Sequence, residues 1–316
     1  MRASTFRFTA ADGAELHVYR WLPDDEPRAV LQIAHGLAEH AGRYEEVARY
    51  FTKEGYAVYA DDHRGHGKTV SDEADLGFFR ASGGWDTVVA DLCALTRFLR
   101  KEHKGLPVFL LGHSMGSLLL QTYLYTFPDE LDGALLCGTS GKVGFLATVG
   151  KGAIYVEKKR VGSKGRSNFL HQMSFGNYNR AFEPARTKMD WLSRDTHVVD
   201  AYLADPLCGF VATTSLWGDL LEGTQRNEDP RNQALIRRDL PLYVFTGEMC
   251  PVGQNLKSVR QLLGAYQRAG LTRVEHRFYE GARHEILNET NRQEVYDDVA
   301  GWLERTRHEL RERAAP

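Results

Sequence analysis

The sequence predicts an α/β protein: a mostly parallel β-sheet with helices on both faces and a helical segment inserted in the second half of the chain. Three observations predict it. Short, nearly continuous apolar runs alternate with stretches of helical period, the pattern of strands covered on both faces. A serine flanked by glycines follows one of those runs and opens the next helical stretch. Between about residues 141 and 238 the alternation stops and no clear strand is seen. A structureless loop of that length is improbable, so a mostly helical insertion is expected.

The elements follow in order. The opening "STFRFTAADGAELHVYRWLP" alternates apolar and polar residues around Asp12-Gly13, a hairpin signal. Then come "AVLQIAHG" with "RYEEVARYFTKEG", "YAVYADDHRGHG" with "GGWDTVVADLCALTRFLRKEHKG", and "PVFLLGHSMG" with "SLLLQTYLYTFP". "GALLCGTSG" is the last strand before the insertion. After it, "PLYVFTGEM" precedes "NLKSVRQLLGAYQRAG", and "TRVEHRFYEGARH" precedes the final helix. Helices are expected to stop at Gly55, Gly105 and Gly270, where glycine accepts the left-handed conformation of a helix end. The expected organisation is a core over residues 1–140 and 239–316, with a helical cap or lid over 141–238.

Composition narrows the function. With 42% hydrophobic and 26% charged residues, the 316-residue chain has the make-up of an ordinary globular protein. A net charge of −2 gives no field for nucleic acid, and the basic run "EKKRVGSKGR" (157–166) reads as a solvated loop. No apolar run approaches the roughly 20 residues of a membrane helix, and the first residues lack the pattern of a signal peptide. The four cysteines, Cys93, Cys137, Cys208 and Cys250, are widely spaced without a CxxC, so neither a zinc site nor a redox motif is expected. Free thiols in a reducing cytoplasm are.

Gly112-x-Ser114-x-Gly116 carries the chemistry. Small residues on either side permit a sharp strand-to-helix turn that exposes the Ser114 hydroxyl. The helix start offers backbone N–H groups to a developing oxyanion. His35-Gly36 ends an earlier strand, and its loop can aim the Leu37 N–H at the same point as the Met115 N–H. His284 lies in the loop before the last helix, at the sheet edge where such sites are built. His113 is read as shaping the turn, and His63 and His66 as holding neighbouring loops.

The stretches "HGLAEHAGRY", "ADDHRGHGKT", "GHSMGS", "WLSRD", "DPLCGF", "PVG" and "EGARHEILNE" resemble the bacterial lysophospholipase and monoacylglycerol-lipase group of α/β-hydrolases, the serine aminopeptidase-like hydrolases. The resemblance spans nearly the whole chain. It implies a Ser-His-acid triad under a helical cap, with Ser114 as nucleophile, His284 as base, and Leu37 and Met115 as oxyanion donors. The group's acid sits in a Gly-x-x-Asp-Pro-Val loop. Here that loop reads Gly247-Glu248-Met249-Cys250-Pro251-Val252, and Cys250 stands in the place of the aspartate.

Three readings of Cys250 remain open at this point: a Ser-His-Cys site with slowed chemistry, a substitute carboxylate, or an introduced cysteine. The end of the preceding core strand, 137–141, offers no acid, so Glu248 is the alternative acid. The expected reaction is hydrolysis of a carboxylic ester through an acyl-serine, on a monoacylglycerol, lysophospholipid or small acyl ester, with no metal or organic cofactor. An amidase, peptidase or acyltransferase with the same site, or a ligand-binding protein without activity, are the alternatives. Phe145, Phe169, Phe175, Trp191, Phe210 and Trp217 are candidates to line the acyl pocket.

Overall fold

The computed structural model describes residues 1–142 and 146–314. An eight-stranded sheet runs in the order β1-β2-β4-β3-β5-β6-β7-β8. The hairpin strands β1 (Arg2–Thr9) and β2 (Glu15–Leu22) pair antiparallel, and β2 also runs antiparallel to β4 (Tyr56–Asp61). From there the sheet is parallel through β3 (Ala29–Ala34), β5 (Val108–His113), β6 (Gly133–Cys137), β7 (Leu242–Gly247) and β8 (Val274–Tyr279). Strands β3 to β7 are buried at every position, which is why they read as unbroken apolar runs.

Alternate residues of each strand feed two cores, one on each face. On one face α1 (Glu45–Lys53) and α10 (Arg292–Ala314) pack on Leu31, Ile33, Val58 and Phe109 through Val47, Phe51, Val299 and Trp302. On the other, α2 (Gly84–Glu102), α3 (Met115–Thr126) and α9 (Lys257–Arg268) cover Val30, Leu110 and Val244 with Leu92, Leu119 and Leu262. Gly55, Gly105 and Gly270 take positive φ angles of 79°, 81° and 85° just beyond α1, α2 and α9.

Between β6 and β7 come α4 (Leu146–Val161), α5 (Asn168–Phe175), α6 (Thr196–Ala204), α7 (Thr214–Asn227) and α8 (Pro230–Gln233). These helices differ in how they are held. Helix α7 belongs to the core: Leu216 and Trp217 are buried, Asn227 bonds Thr122 and the Leu118 carbonyl, and Gly223 lies against the Trp85 ring, leaving no room for a Cβ. Helices α4 and α5 expose Val149, Tyr155, Val156, Phe169 and Met173.

The β5–α3 turn positions the site. Ser114 sits at φ 51°, a strained conformation for a residue with a side chain. A Cβ at Gly112 would strike the Gly116 carbonyl, and one at Gly116 would strike the Ala34 carbonyl at the end of β3. The two glycines therefore let α3 start directly against the strand ends. Replacing Gly116 with alanine is expected to destabilise the fold by about 3 kcal/mol, because the obstacle is backbone rather than a side chain that can turn away. A denaturant melt of Gly116→Ala with an unchanged midpoint would refute this account of the turn.

Candidate active site

Three loops meet at the C-terminal ends of the strands. The first is the turn at Ser114, fixed by the Ser114 N–H donating to the Cys137 carbonyl at 3.0 Å and by the Ser117 hydroxyl donating to the Ser114 carbonyl at 2.6 Å. The second follows β8 and carries His284, whose Nε2 stands 2.9 Å from Ser114 Oγ. The third follows β7 and brings Cys250 Sγ to 3.1 Å from His284 Nδ1. The structure thus brings Ser114, His284 and Cys250 into one hydrogen-bonded chain. Glu248, the alternative acid, does not join it; it lies half-buried at the strand end, its N–H donating to the Tyr279 carbonyl. Reading the loop as extended put Glu248 and Cys250 on one side, but the loop turns at once, with the Cys250 N–H donating to the Gly247 carbonyl.

The loop after β3 crosses over the serine. A Cβ on Gly36 would stand 3.1 Å from Ser114 Cβ and 2.7 Å from Glu39 Oε1. Glu39 Oε1 accepts the Gly36 N–H at 2.6 Å and the Tyr44 hydroxyl at 2.9 Å, which holds this loop from beneath. The Leu37 and Met115 N–H groups have no hydrogen-bond partner among the described residues. Ala38, at φ 56°, is pinned from the insertion, where the Tyr202 hydroxyl and the Gly209 N–H each donate to its carbonyl at 2.9 Å.

Burial sets the electrostatics. His284 is only 2% exposed, and desolvation holds its imidazole well below the ordinary value; neighbouring His113 pushes the same way and Glu285 opposes it. Desolvation also raises the Cys250 thiol, against hydrogen bonds from the Gly253 and Val252 N–H groups and the Thr246 hydroxyl. Both shifts favour a neutral thiol beside a neutral imidazole. A carboxylate in this place would be charged, and the thiol is not. An aspartate can only accept, so it fixes the proton on Nδ1 and leaves Nε2 free for the serine proton. A thiol can also donate to Nδ1, which places the imidazole proton on the wrong nitrogen.

The cavity around these groups measures about 310 Å³. Phe175, Trp191 and Phe210 line it, as do Met189 and Leu192; His171, Gln172 and Lys188 also contribute to its wall. Of the other aromatic candidates, Phe169 points to solvent, Trp217 is buried behind Phe175, and Phe145 lies outside the described residues. Met189 carried no motif signal, and Leu192 lies in the stretch "WLSRD" but was given no role there. The His63 and His66 loop is packing: His63 stacks on His35 at 4.0 Å, and its N–H donates to His35 Nε2.

Among the described residues one group has metal-like spacing, His40, Asp205 and Cys208, with ligand atoms within 4.8 Å of one another. The donor set does not fit an ion. His40 Nδ1 accepts the Gly42 N–H, so Nε2 carries the proton and donates it to Asp205 at 2.9 Å. The pair ties the loop after β3 to the insertion.

Fold and site together define an α/β-hydrolase. The chain matches the family described as serine aminopeptidase, S33, over residues 25–291, and it belongs to that family. It is 30% identical over 303 residues to a monoacylglycerol lipase of Mycolicibacterium smegmatis, covering 95% of this chain and 96% of that one. It is 28% identical over 301 residues to the human monoglyceride lipase, covering 93% and 88%. Among solved structures, a thermostable carboxyl esterase from Bacillus coagulans, in complex with glycerol, superposes with a TM-score of 0.87 at 28% identity, covering 97% of this chain and 99% of that one.

If His284 is the base, activity should hold as pH falls through the ordinary imidazole range and drop only well below it, because burial keeps its imidazole neutral there. Cys250→Asp should move this acidic limb to higher pH by about one unit or more, since an adjacent anion favours the imidazolium. It should also raise turnover about 10²- to 10⁴-fold by restoring tautomer control. A kcat profile with limb and plateau unmoved would sink the assignment of position 250.

Proposed function

We propose that this chain is a carboxylic ester hydrolase that cleaves monoacylglycerols and related acyl esters through an acyl-serine intermediate. The observation that carries the reading is the 2.9 Å approach of Ser114 Oγ to His284 Nε2 on the wall of an apolar-rich cavity. Ser114 attacks the ester carbonyl while its proton passes to His284 Nε2. The Leu37 and Met115 N–H groups, both free, receive the oxyanion. His284 returns the proton to the departing alkoxide, and water then hydrolyses the acyl-serine by the same steps. Cys250 takes the acid's place without its charge. An ester makes a smaller demand on the proton donor than an amide, because its leaving group is the weaker base.

Ester substrates fit the cavity better than the aminopeptides of the family's name. A peptide's N-terminal ammonium needs a free carboxylate, and the two that line the cavity, Glu39 and Glu285, are both tied to Arg43. Lys188 on the same wall repels a cation. Phe175, Trp191 and Met189 give an acyl chain an apolar bed. The four free thiols suit a reducing compartment such as the cytoplasm.

The purified chain should hydrolyse monoacylglycerols and p-nitrophenyl esters, with at least about 10³-fold less turnover in Ser114→Ala. A fluorophosphonate should label the chain and not that variant. Labelling or hydrolysis that survives Ser114→Ala would reject the nucleophile, and faster cleavage of aminoacyl amides than of esters would reject the substrate class.

We further propose that residues 141–238 act as a cap in which α4 and α5 open while α6 and α7 stay with the core. The support is the contrast between the exposed apolar residues of α4 and α5 and the buried contacts of α7 with α2 and α3. Amide exchange should be faster in α4 and α5 than in α7, and an acyl inhibitor should slow it there. Equal protection in all of these helices would show that no such opening occurs.

A further inference from the structure

The site has an unmet requirement. When His284 takes the serine proton it becomes a buried cation. Cys250, a neutral thiol with no exposed surface, offers it no countercharge. The groups around His284 are Ser114 and Cys250 at its two nitrogens, the rings of His113 and Trp191 at 4.8 and 5.1 Å, and Glu285, which follows it in the chain, lines the same cavity and bears on the imidazole with its charge. Glu285 is the one acid among them.

Glu285 is part of a buried network. Its two oxygens accept from Arg43 Nη1 and Nη2 at 2.8 and 2.7 Å, and Arg43 Nη1 also donates to Glu39 Oε2 at 2.6 Å. Glu39 and Glu285 are 3% and 4% exposed, so water screens the network little. Two carboxylates against one guanidinium leave a net charge of −1. Burial alone would raise the Glu285 carboxyl, yet Arg43 brings it down to about 2, so the charge is permanent at working pH. Through Glu39 the same network holds the Gly36 N–H, and with it the loop that presents Leu37.

We infer that Glu285, linked through Arg43 to Glu39, is a positioning residue that supplies the negative charge for the His284 imidazolium in place of Cys250. This rests on the ester-hydrolase reading above. The network also has a purely structural duty, since it joins the histidine loop to the loop after β3. The two roles separate once a second anion is provided at position 250. A countercharge then becomes partly redundant, whereas a structural brace does not.

The test is a double-mutant cycle on kcat and its pH dependence with a short p-nitrophenyl ester, in the parent, Glu285→Gln, Cys250→Asp and the double variant. In the parent background Glu285→Gln should lower kcat about 10- to 100-fold, with KM little changed, and shift the acidic limb to lower pH. In the Cys250→Asp background the same change should cost about threefold or less. Equal fold-losses in both backgrounds, or an acidic limb that does not move, would overturn the inference. If Glu285→Gln does not fold, Glu285→Asp carries the same comparison: it keeps the charge and withdraws it by one methylene, so its loss should again shrink in the Cys250→Asp background. No Ser114-dependent hydrolysis even in Cys250→Asp would instead overturn the ester-hydrolase reading, and the inference with it.

Discussion

The close approach of helix α3 to the end of strand β3 is the constraint on which the rest of the site depends. Gly116 lies so near the Ala34 and His35 carbonyls that no Cβ fits, and Gly112 meets the carbonyl of Gly116 itself. The chain can reverse from strand to helix in so short a space only by putting Ser114 at φ 51°. That strain projects the hydroxyl away from the sheet, and the buried sheet and helices on either side hold it there. The loop after β3 then passes directly over the serine, because its strand ends beside the turn. A serine hydroxyl, two unbonded N–H groups and the cavity are thus consequences of one packing contact.

Position 250 is the exception to this economy. The loop after β7 turns the Cys250 sulfur toward the outer nitrogen of His284, at 3.1 Å. Burial lifts the thiol and lowers the imidazole, so the pair rests uncharged, and either the thiol donates to Nδ1 or an Nδ1–H donates to the sulfur. Negative charge is concentrated instead in two carboxylates around Arg43, one of them on the residue that follows His284.

The insertion joins both halves of the molecule. Helix α7 completes the core that α2 and α3 begin, through Trp85, Thr122 and Asn227. Other parts of it reach the site. Trp191 and Leu192 receive the backbone N–H groups of His284 and Glu285, while Tyr202 and Gly209 hold the Ala38 carbonyl. The histidine loop and the loop over the serine are therefore both braced by the segment that walls the cavity. A disturbance of the insertion is transmitted to the loops around Ser114 and His284 through hydrogen bonds.

The sequence by itself determined the sheet and most of its helices, because burial on both faces writes an apolar run for each strand and a 3.6-residue period for each helix. It also determined the turn at Ser114, since a backbone approach that excludes a Cβ can be met only by glycine, at fixed spacing. The odd residue in the loop after β7 was visible as a departure from a pattern. Which side chain faced His284 was not: Glu248 and Cys250 differ only in how the loop turns, and a hydrogen bond from Cys250 N–H to Gly247 decides it. Met189 left no local mark, and Leu192, Glu39, Arg43 and Glu285 lie inside recognisable stretches that say nothing of their pairing, because the partners lie far apart in the chain; Arg43 and Glu285 are separated by 242 residues. Local pattern records what each segment must bury, and only the tertiary structure decides which distant segments share the buried space.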